Sequence, residues 1–550
     1  MADLTHDELL ALARAAMMKI PEEDVEHLTL RFNALMESLE VLDQYPLDGE
    51  LALPALPHPF QLTSSQRPAG SPPSFETESS DPLAYKPITE LAHLIRTKQV
   101  SPVELTNLYL ERIDQFDGQL KSYITVLAED ARREAAAAEQ ALSAGEKLGP
   151  LHGVPLAFKD EFYTKDVLTT CGSIILSEFF PDYDATAVAR TRQAGAIMLG
   201  KLNMTEWATP LTLEFPFGHP RNPWNTDHDA GGSSTGSGSA TAAAPCAGAL
   251  GEDTGGSIRR PASHNSCVGL RPSWGRVSMY GVIPGVWTQD TAGPLGRTVA
   301  DCALLMNVIA GHDANDPLSA NLPVPDYLSV LDGDVKGMRI GVIKEMMEAD
   351  HLHPEVQARV AEALRRFEGL GAIVEEVSLT MVKLTNIISG AGGADRTALQ
   401  WKNLMENPHQ YDVASRRFNL LPGLIPGSIY QRTLQLRSLY RRQVLDACER
   451  YDILVTPSQP TPPPSIEDTK KPLTSREQAM NDLKAFSFSN AAAISGIPAI
   501  SVPCGFTGDG LPVGLQIMAK RYDEETVLRA AFAYEQNTSW HTMRPPVGDA

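Results

Sequence analysis

The sequence predicts an α/β protein with a substantial sheet, and three observations carry that expectation. Short apolar runs, PLAFK (155–159), AIMLGK (196–201), DILVTP (452–457) and PAISVPCG (498–505), are spaced along the chain. Helical stretches at 128–144, 186–194, 355–369 and 434–450 separate them, the alternation of an α/β fold. No repeat of about 20–50 residues is present, which weighs against a solenoid.

Taken in order, residues 5–45 come first. Leu28, Phe32, Leu35, Leu39 and Leu42 fall four and three apart, one apolar stripe on a helix. Pro21 followed by Glu22, Glu23 and Asp24 is a helix start, because acidic first-turn residues match the positive helix end. Two short helices, at 5–18 and 21–44, are expected, and they need a larger body to bury the stripe. Residues 46–86 are rich in Pro, Ser and Gly without periodicity, as in a linker or surface-wrapping arm. Ser101-Pro102-Val103-Glu104 then reads as a capping box opening a helix to about Phe116. From 87 onward no second linker appears, so one large domain over 87–550 is expected.

Composition narrows the function classes. The net charge of −21 argues against nucleic-acid binding, which needs cationic patches for phosphate. Six scattered cysteines without a C-x-x-C pair suit reduced, buried thiols in a large chain. No signal-peptide pattern opens MADLTHDELL, and no run of 18 apolar residues occurs, so a cytoplasmic protein without a membrane span is expected.

Two Gly/Ser stretches raise the chemistry. GGSSTGSGSA (231–240) has a linker's composition, yet it runs straight into TAAAPCAGAL, suited to a tightly packed helix. Gly232-Ser233-Ser234-Thr235-Gly236 also fits G-x-S-x-G, but the polar NPWNTDHDA before it is no strand for a nucleophile elbow. In GEDTGGSIRRPA (251–262), the backbone N–H groups of Thr254, Gly255, Gly256 and Ser257 are able to converge as an oxyanion hole. Ser257 stands as the nucleophile, with Asp253 and Arg259 as a charge-assisted bond pinning the loop. A serine needs a base. His264 is near in sequence but has no triad context. Lys159, ending the apolar run from Gly153, is the other candidate, since burial lowers a lysine pKa and frees it as a neutral base.

GVPLAFKD, GGSSTGSGS and GEDTGGSIRRPA, in this order and spacing, resemble the amidase signature family of serine hydrolases. The likeness continues through TTCGS (169–173), NPWN (222–225), DTAGPLGRTVADCALLM (290–306) and GIPAISVPCGFTGDGLPVGLQIMAK (496–520). The resemblance implies an amidase-signature fold, a large mixed sheet flanked by helices, with the small N-terminal helical segment outside it. It implies Ser257 as nucleophile, Ser233, behind a cis Gly232–Ser233 peptide, as the bridging serine, and Lys159 as the terminal base. No cofactor or metal is implied, and His351-x-His353 lacks a third ligand. Thr235, Glu252 and His264-Asn265 depart from the family's usual residues. Residues 1–45 resemble the C subunit of bacterial aminoacyl-tRNA amidotransferases, fused here in cis, with 46–86 as the wrapping arm. The helices are expected to cover the body or to form a homodimer contact.

The main expectation is therefore an amidohydrolase acting on a small-molecule carboxamide, aryl amide, carbamate or urea-like bond. The alternative is the glutaminase (A-type) subunit of a tRNA-dependent amidotransferase. Against that alternative, Thr205 replaces the usual Asp of an NMDEF-like stretch, and REQAMNDLKAFSFSNAAA departs from those proteins before the last core strand. A non-catalytic scaffold is disfavoured by the intact Lys159, Ser233 and Ser257. The pocket is expected from segments 204–217, 284–290 and 388–432, with Met204, Trp207, Trp287 and Tyr430 as candidate lining residues. Each of the four equally suits a core position.

Overall fold

The computed structural model describes residues 3–47, 49–51 and 80–547; most of the expected 46–86 arm lies outside the described residues. Among the described residues, eleven strands form one sheet: Tyr123–Val126 (β1), Pro155–Lys159 (β2), Ile197–Leu202 (β3), Gly248–Glu252 (β4), Val268–Arg271 (β5), Ala292–Gly296 (β6), Arg339–Ile343 (β7), Ile373–Val377 (β8), Ile453–Pro457 (β9), Ala499–Phe506 (β10) and Pro512–Met518 (β11). Their order is β1-β3-β2-β4-β6-β5-β10-β11-β9-β7-β8. Parallel pairs at β3-β2-β4 and β9-β7-β8 bracket an antiparallel centre, so the sheet is mixed. The α/β expectation thus holds. The four apolar runs are β2, β3, β9 and β10.

Helices form where the pattern places them. Ser101 Oγ accepts from the N–H groups of Val103 and Glu104, and with Pro102 at the first position it starts the helix Pro102–Leu120. Ala128–Ala144, Thr186–Gln193 and Pro354–Gly369 follow the sequence expectation within a residue or two. The helix expected at 434–450 begins earlier, at Gly427, and ends at Cys448.

At the N-terminus, Thr5 and Glu8 form a capping box for His6–Ala15, and Val25–Ser38 continues as 3-10 turns to Gln44. The stripe Leu28, Phe32, Leu35, Leu39 and Leu42 is buried in an apolar cluster shared with Ile388, Leu436, Tyr440 and Ile494. Ion pairs tie the same segment down. Asp24, wholly buried, takes Arg416 Nε at 2.5 Å and Arg417 Nε at 2.7 Å. Asp43–Arg432 and Glu50–Arg442 extend the acidic-on-basic seam along Gly427–Cys448. All six cysteines are buried and free. Among the described residues no helix is long and apolar enough to cross a membrane.

Candidate active site

β2 and β4 run parallel with Phe158 opposite Leu250, so Lys159 and Glu252 emerge side by side at the carboxyl ends of neighbouring strands, the place where α/β sheets build their sites. Lys159 is wholly buried. Its Nζ lies 2.8 Å from Ser233 Oγ. The Gly232–Ser233 peptide is cis.

From Thr235 the Gly/Ser stretch is a close-packed helix rather than a linker, but that helix ends at Ala243, and residues 248–250 of the expected TAAAPCAGAL helix lie in β4 instead. Thr235–Ala243 is helical and every residue in it is buried. A Cβ on Gly236 would stand 2.2 Å from the Ser122 carbonyl oxygen and 2.7 Å from Asn203 N, so only glycine permits that approach. Thr235 Oγ1 donates to the Asn203 carbonyl at 3.1 Å, and Asn265 Nδ2 donates to the carbonyls of Ala230 and Pro261. Two of the departures from the family pattern are thereby packing contacts. His264 faces Asp229 at 3.7 Å, and burial holds its pKa below the ordinary value.

The loop that carries Ser257 is pinned as the flanking charges suggest. Arg259 grips Asp253 with Nε at 3.0 Å and Nη2 at 2.9 Å, and Arg271 Nη1 adds a third contact at 3.1 Å. Burial opposes the charge on Asp253, but the two guanidiniums outweigh it and hold the carboxyl well below its usual range. Ser257, half-buried, follows this clamp, and its carbonyl accepts from Ser234 N–H at 3.2 Å, joining the two Gly/Ser stretches. One part of the oxyanion expectation is corrected. Gly256 N–H donates to Asp253 Oδ1 at 2.8 Å and is therefore spent on the clamp. Among the described residues, the N–H groups of Thr254, Gly255 and Ser257 have no protein partner and remain as donors.

A second correction concerns the base. Burial pulls the Lys159 ammonium down as expected, but Glu161 and Glu252 outweigh it, and the net shift is upward. Glu161 Oε1 is 2.9 Å and Glu252 Oε2 3.3 Å from Nζ. Sequence reasoning noted Glu252 only as a departure and missed Glu161; its adjacency to the buried Lys159-Asp160 was the available signal.

Of the pocket candidates, Met204 is wholly buried in the core, and Trp207 is buried against Tyr411 at 6.1 Å between ring centres. Trp287 is 40% exposed, while Tyr430, half-buried, donates to Asp395 Oδ1 at 3.3 Å. The three expected segments do meet, at a residue not foreseen. Arg396 Nη1 is 3.5 Å from the Trp207 carbonyl and 3.2 Å from the Cβ position of Gly285, and its guanidinium lies 5.4 Å from the Phe418 ring centre. His351 Nε2 contacts the Phe486 carbonyl, and His353 caps Pro354–Gly369, so both have structural partners.

The profile of the amidase family matches residues 104–528. The A subunit of the glutamyl-tRNA(Gln) amidotransferase from Moorella thermoacetica is 41% identical over 494 residues, covering 85% of this chain and 100% of that protein. A solved chain of the vestigial complex that reveals the evolutionary origins of an s-triazine catabolic enzyme superposes with a TM-score of 0.76 at 30% identity, covering 82% of this chain and 98% of that one. A bacterial aryl acylamidase of the amidase signature family gives a TM-score of 0.75 at 29% identity, covering 85% and 99%. With the family profile spanning most of its length, and the fold shared over 82–85% of it, the chain belongs to the amidase signature family.

Proposed function

We propose that the chain cleaves a carboxamide C–N bond through an acyl-enzyme on Ser257, and that the carboxamide is that of glutamine, as in the A-type component of an amidotransferase. The chemistry rests on the 2.8 Å contact of Lys159 Nζ with Ser233 Oγ beside the clamped Ser257 loop. Ser257 Oγ attacks the carbonyl carbon as its proton passes to Ser233 and Ser233's proton passes toward Lys159. The N–H groups of Thr254, Gly255 and Ser257 receive the oxyanion. The proton returns to the leaving nitrogen, ammonia departs, and water hydrolyses the ester by the same relay. The choice of glutamine is supported by the 41% identity to the Moorella protein along its whole length.

A second reading, a free-standing amidohydrolase for aryl amide, carbamate or urea-like bonds, is favoured by Thr205. Its Oγ1 is closed on the Thr209 carbonyl at 2.6 Å and its N–H on the Ser233 carbonyl at 3.2 Å. No charge therefore stands there, where the A-type amidotransferase chains usually carry Asp.

Intact mass after fluorophosphonate treatment tests the chemistry: stoichiometric labelling is expected in wild type and Ser234→Ala and absent in Ser257→Ala. Ammonia release from glutamine, against a panel of aryl amides and carbamates, tests the substrate. Turnover of glutamine supports the A-type reading, whereas turnover of the panel alone moves the assignment to the free-standing enzyme.

A further inference from the structure

Lys159 shares its site with more negative charge than one ammonium balances. Its Nζ is 2.9 Å from Glu161 Oε1 and 3.3 Å from Glu252 Oε2, and the three side chains are 0%, 1% and 3% exposed. Neither Glu161 oxygen accepts an aligned hydrogen bond from any described residue. Glu252 Oε1 accepts from Thr254 Oγ1 at 2.8 Å, which couples the cluster to the oxyanion loop.

Among the described residues no second cation is in contact with the cluster. Asp290 accepts from the N–H groups of Gly285 and Val286, with Thr254 Oγ1 a further contact at 2.8 Å. Arg396 is within electrostatic reach of Glu161, Glu252 and Asp290 but forms no ion pair with them among the described residues. The Cys171 thiol is pushed up by burial and stays protonated, and Asp160 is matched by Lys201 at 3.1 Å. Two ionised carboxylates against one ammonium, away from water, are costly. The neutral arrangement is one ammonium, one carboxylate and one carboxylic acid.

We propose that Glu161 and Glu252 are the terminus of the proton relay, so that Lys159 conducts the proton of Ser257 rather than keeping it. As the Ser257 O–H bond breaks, an O–H bond forms on Ser233. A Lys159 N–H proton first forms the O–H bond of the ionised carboxylate, and the amine so freed takes Ser233's own proton as a new N–H bond. The cluster gains one positive charge as the oxyanion gains one negative charge. Departure of the leaving group reverses each step and delivers the proton to nitrogen. Both glutamates act through Lys159 as positioning residues, and the inference rests on the Ser257–Ser233–Lys159 assignment above.

The test is the fluorophosphonate labelling rate of the full chain from about pH 5 to about pH 10. Wild type, Glu161→Gln, Glu252→Gln and the double variant are compared, with circular dichroism as the fold check and Ser257→Ala as the control. Burial, with Glu161 and Asp290 adding to it against Lys159, pushes Glu252 up to about 8; once ionised it is the stronger acceptor of the two carboxyls, so the wild-type rate is expected to climb through that pH. Each single variant moves the climb to lower pH, since the remaining carboxyl loses a like-charged neighbour. The double variant has no acceptor beyond Lys159 and is slowest throughout, by about 100-fold.

The opposite order, with the double variant fastest near neutrality and the wild-type climb near a lysine pKa, makes Lys159 the final base and overturns the proposal. Superimposable profiles also overturn it. If the double variant does not fold, the wild-type climb and the direction of the single-variant shifts decide. Labelling that persists in Ser257→Ala overturns the nucleophile assignment itself, an outcome the control separates from failure of the relay.

Discussion

Asp253 shows how a single residue fixes the loop that carries Ser257. It gathers Arg259, Arg271 and the N–H groups of Gly256 and Ile258 on one buried carboxylate. Arg259 in turn reaches the Ser489 carbonyl at 2.8 Å and Gln516 Oε1 at 2.6 Å, anchoring the loop to the central strands. A lysine cannot make this fork. Arg259→Lys is therefore expected to keep the fold and lose about 100-fold in labelling rate, because small misplacement of an attacking atom has that cost. A rate within a factor of about two of wild type would remove the clamp from the mechanism. Gly256 is fixed by space as well as by φ +122°: a Cβ there would lie 2.5 Å from Ser489 Cβ.

Among the elements, the N-terminal helix Val25–Ser38 has the clearest energetics. Leu35, 1% exposed, packs near Gly390, and Leu35→Ala is expected to cost about 2–5 kcal/mol. Asp24→Ala leaves the buried Arg416 with the exposed Glu23 as its one carboxylate among the described residues, an expected loss of about 3–5 kcal/mol. Hydrogen exchange localises both effects: amides of residues 6–38 should exchange faster while those of β2 and β4 stay protected. Equal loss of protection in the two regions would mean that the segment and the sheet unfold as one unit.

Across the whole molecule, buried carboxyls set the pH dependence of stability. Burial pushes Glu206 up to about 7, and Glu252 and Glu535 up to about 8, from an ordinary 4.5. Between 4.5 and 8 the folded chain binds protons at these sites that the unfolded chain releases, so stability falls as pH rises. Histidines held neutral by burial, His27 at about 4, act in the opposite sense only below their ordinary 6.5. The thermal midpoint is accordingly expected to drop from about pH 6.5 to about pH 8, with the net charge of −21 adding self-repulsion in the same direction. A midpoint that rises over that interval would contradict the buried-acid account. Differential scanning calorimetry across the interval measures it.

The sequence by itself determined the α/β class, the strands rich in large apolar residues, the capped helices and the motif carrying Lys159, Ser233 and Ser257. These are encoded locally, in periodicity, caps and ordered motifs. It did not reveal β4 or β6, whose GALGE and AGPLG lack the large apolar or β-branched residues that mark a strand. Such strands exist because neighbours on both sides pair with them, and a Cβ on Gly251 or Gly293 would stand only 3.2 or 3.1 Å from the Ile258 side chain. Tertiary structure alone decided the proton economy of the site. Glu161 and Glu252 lie on different segments and meet at Lys159 only when β2 and β4 pair, and the charge of a buried amine depends on which carboxylates the fold places beside it.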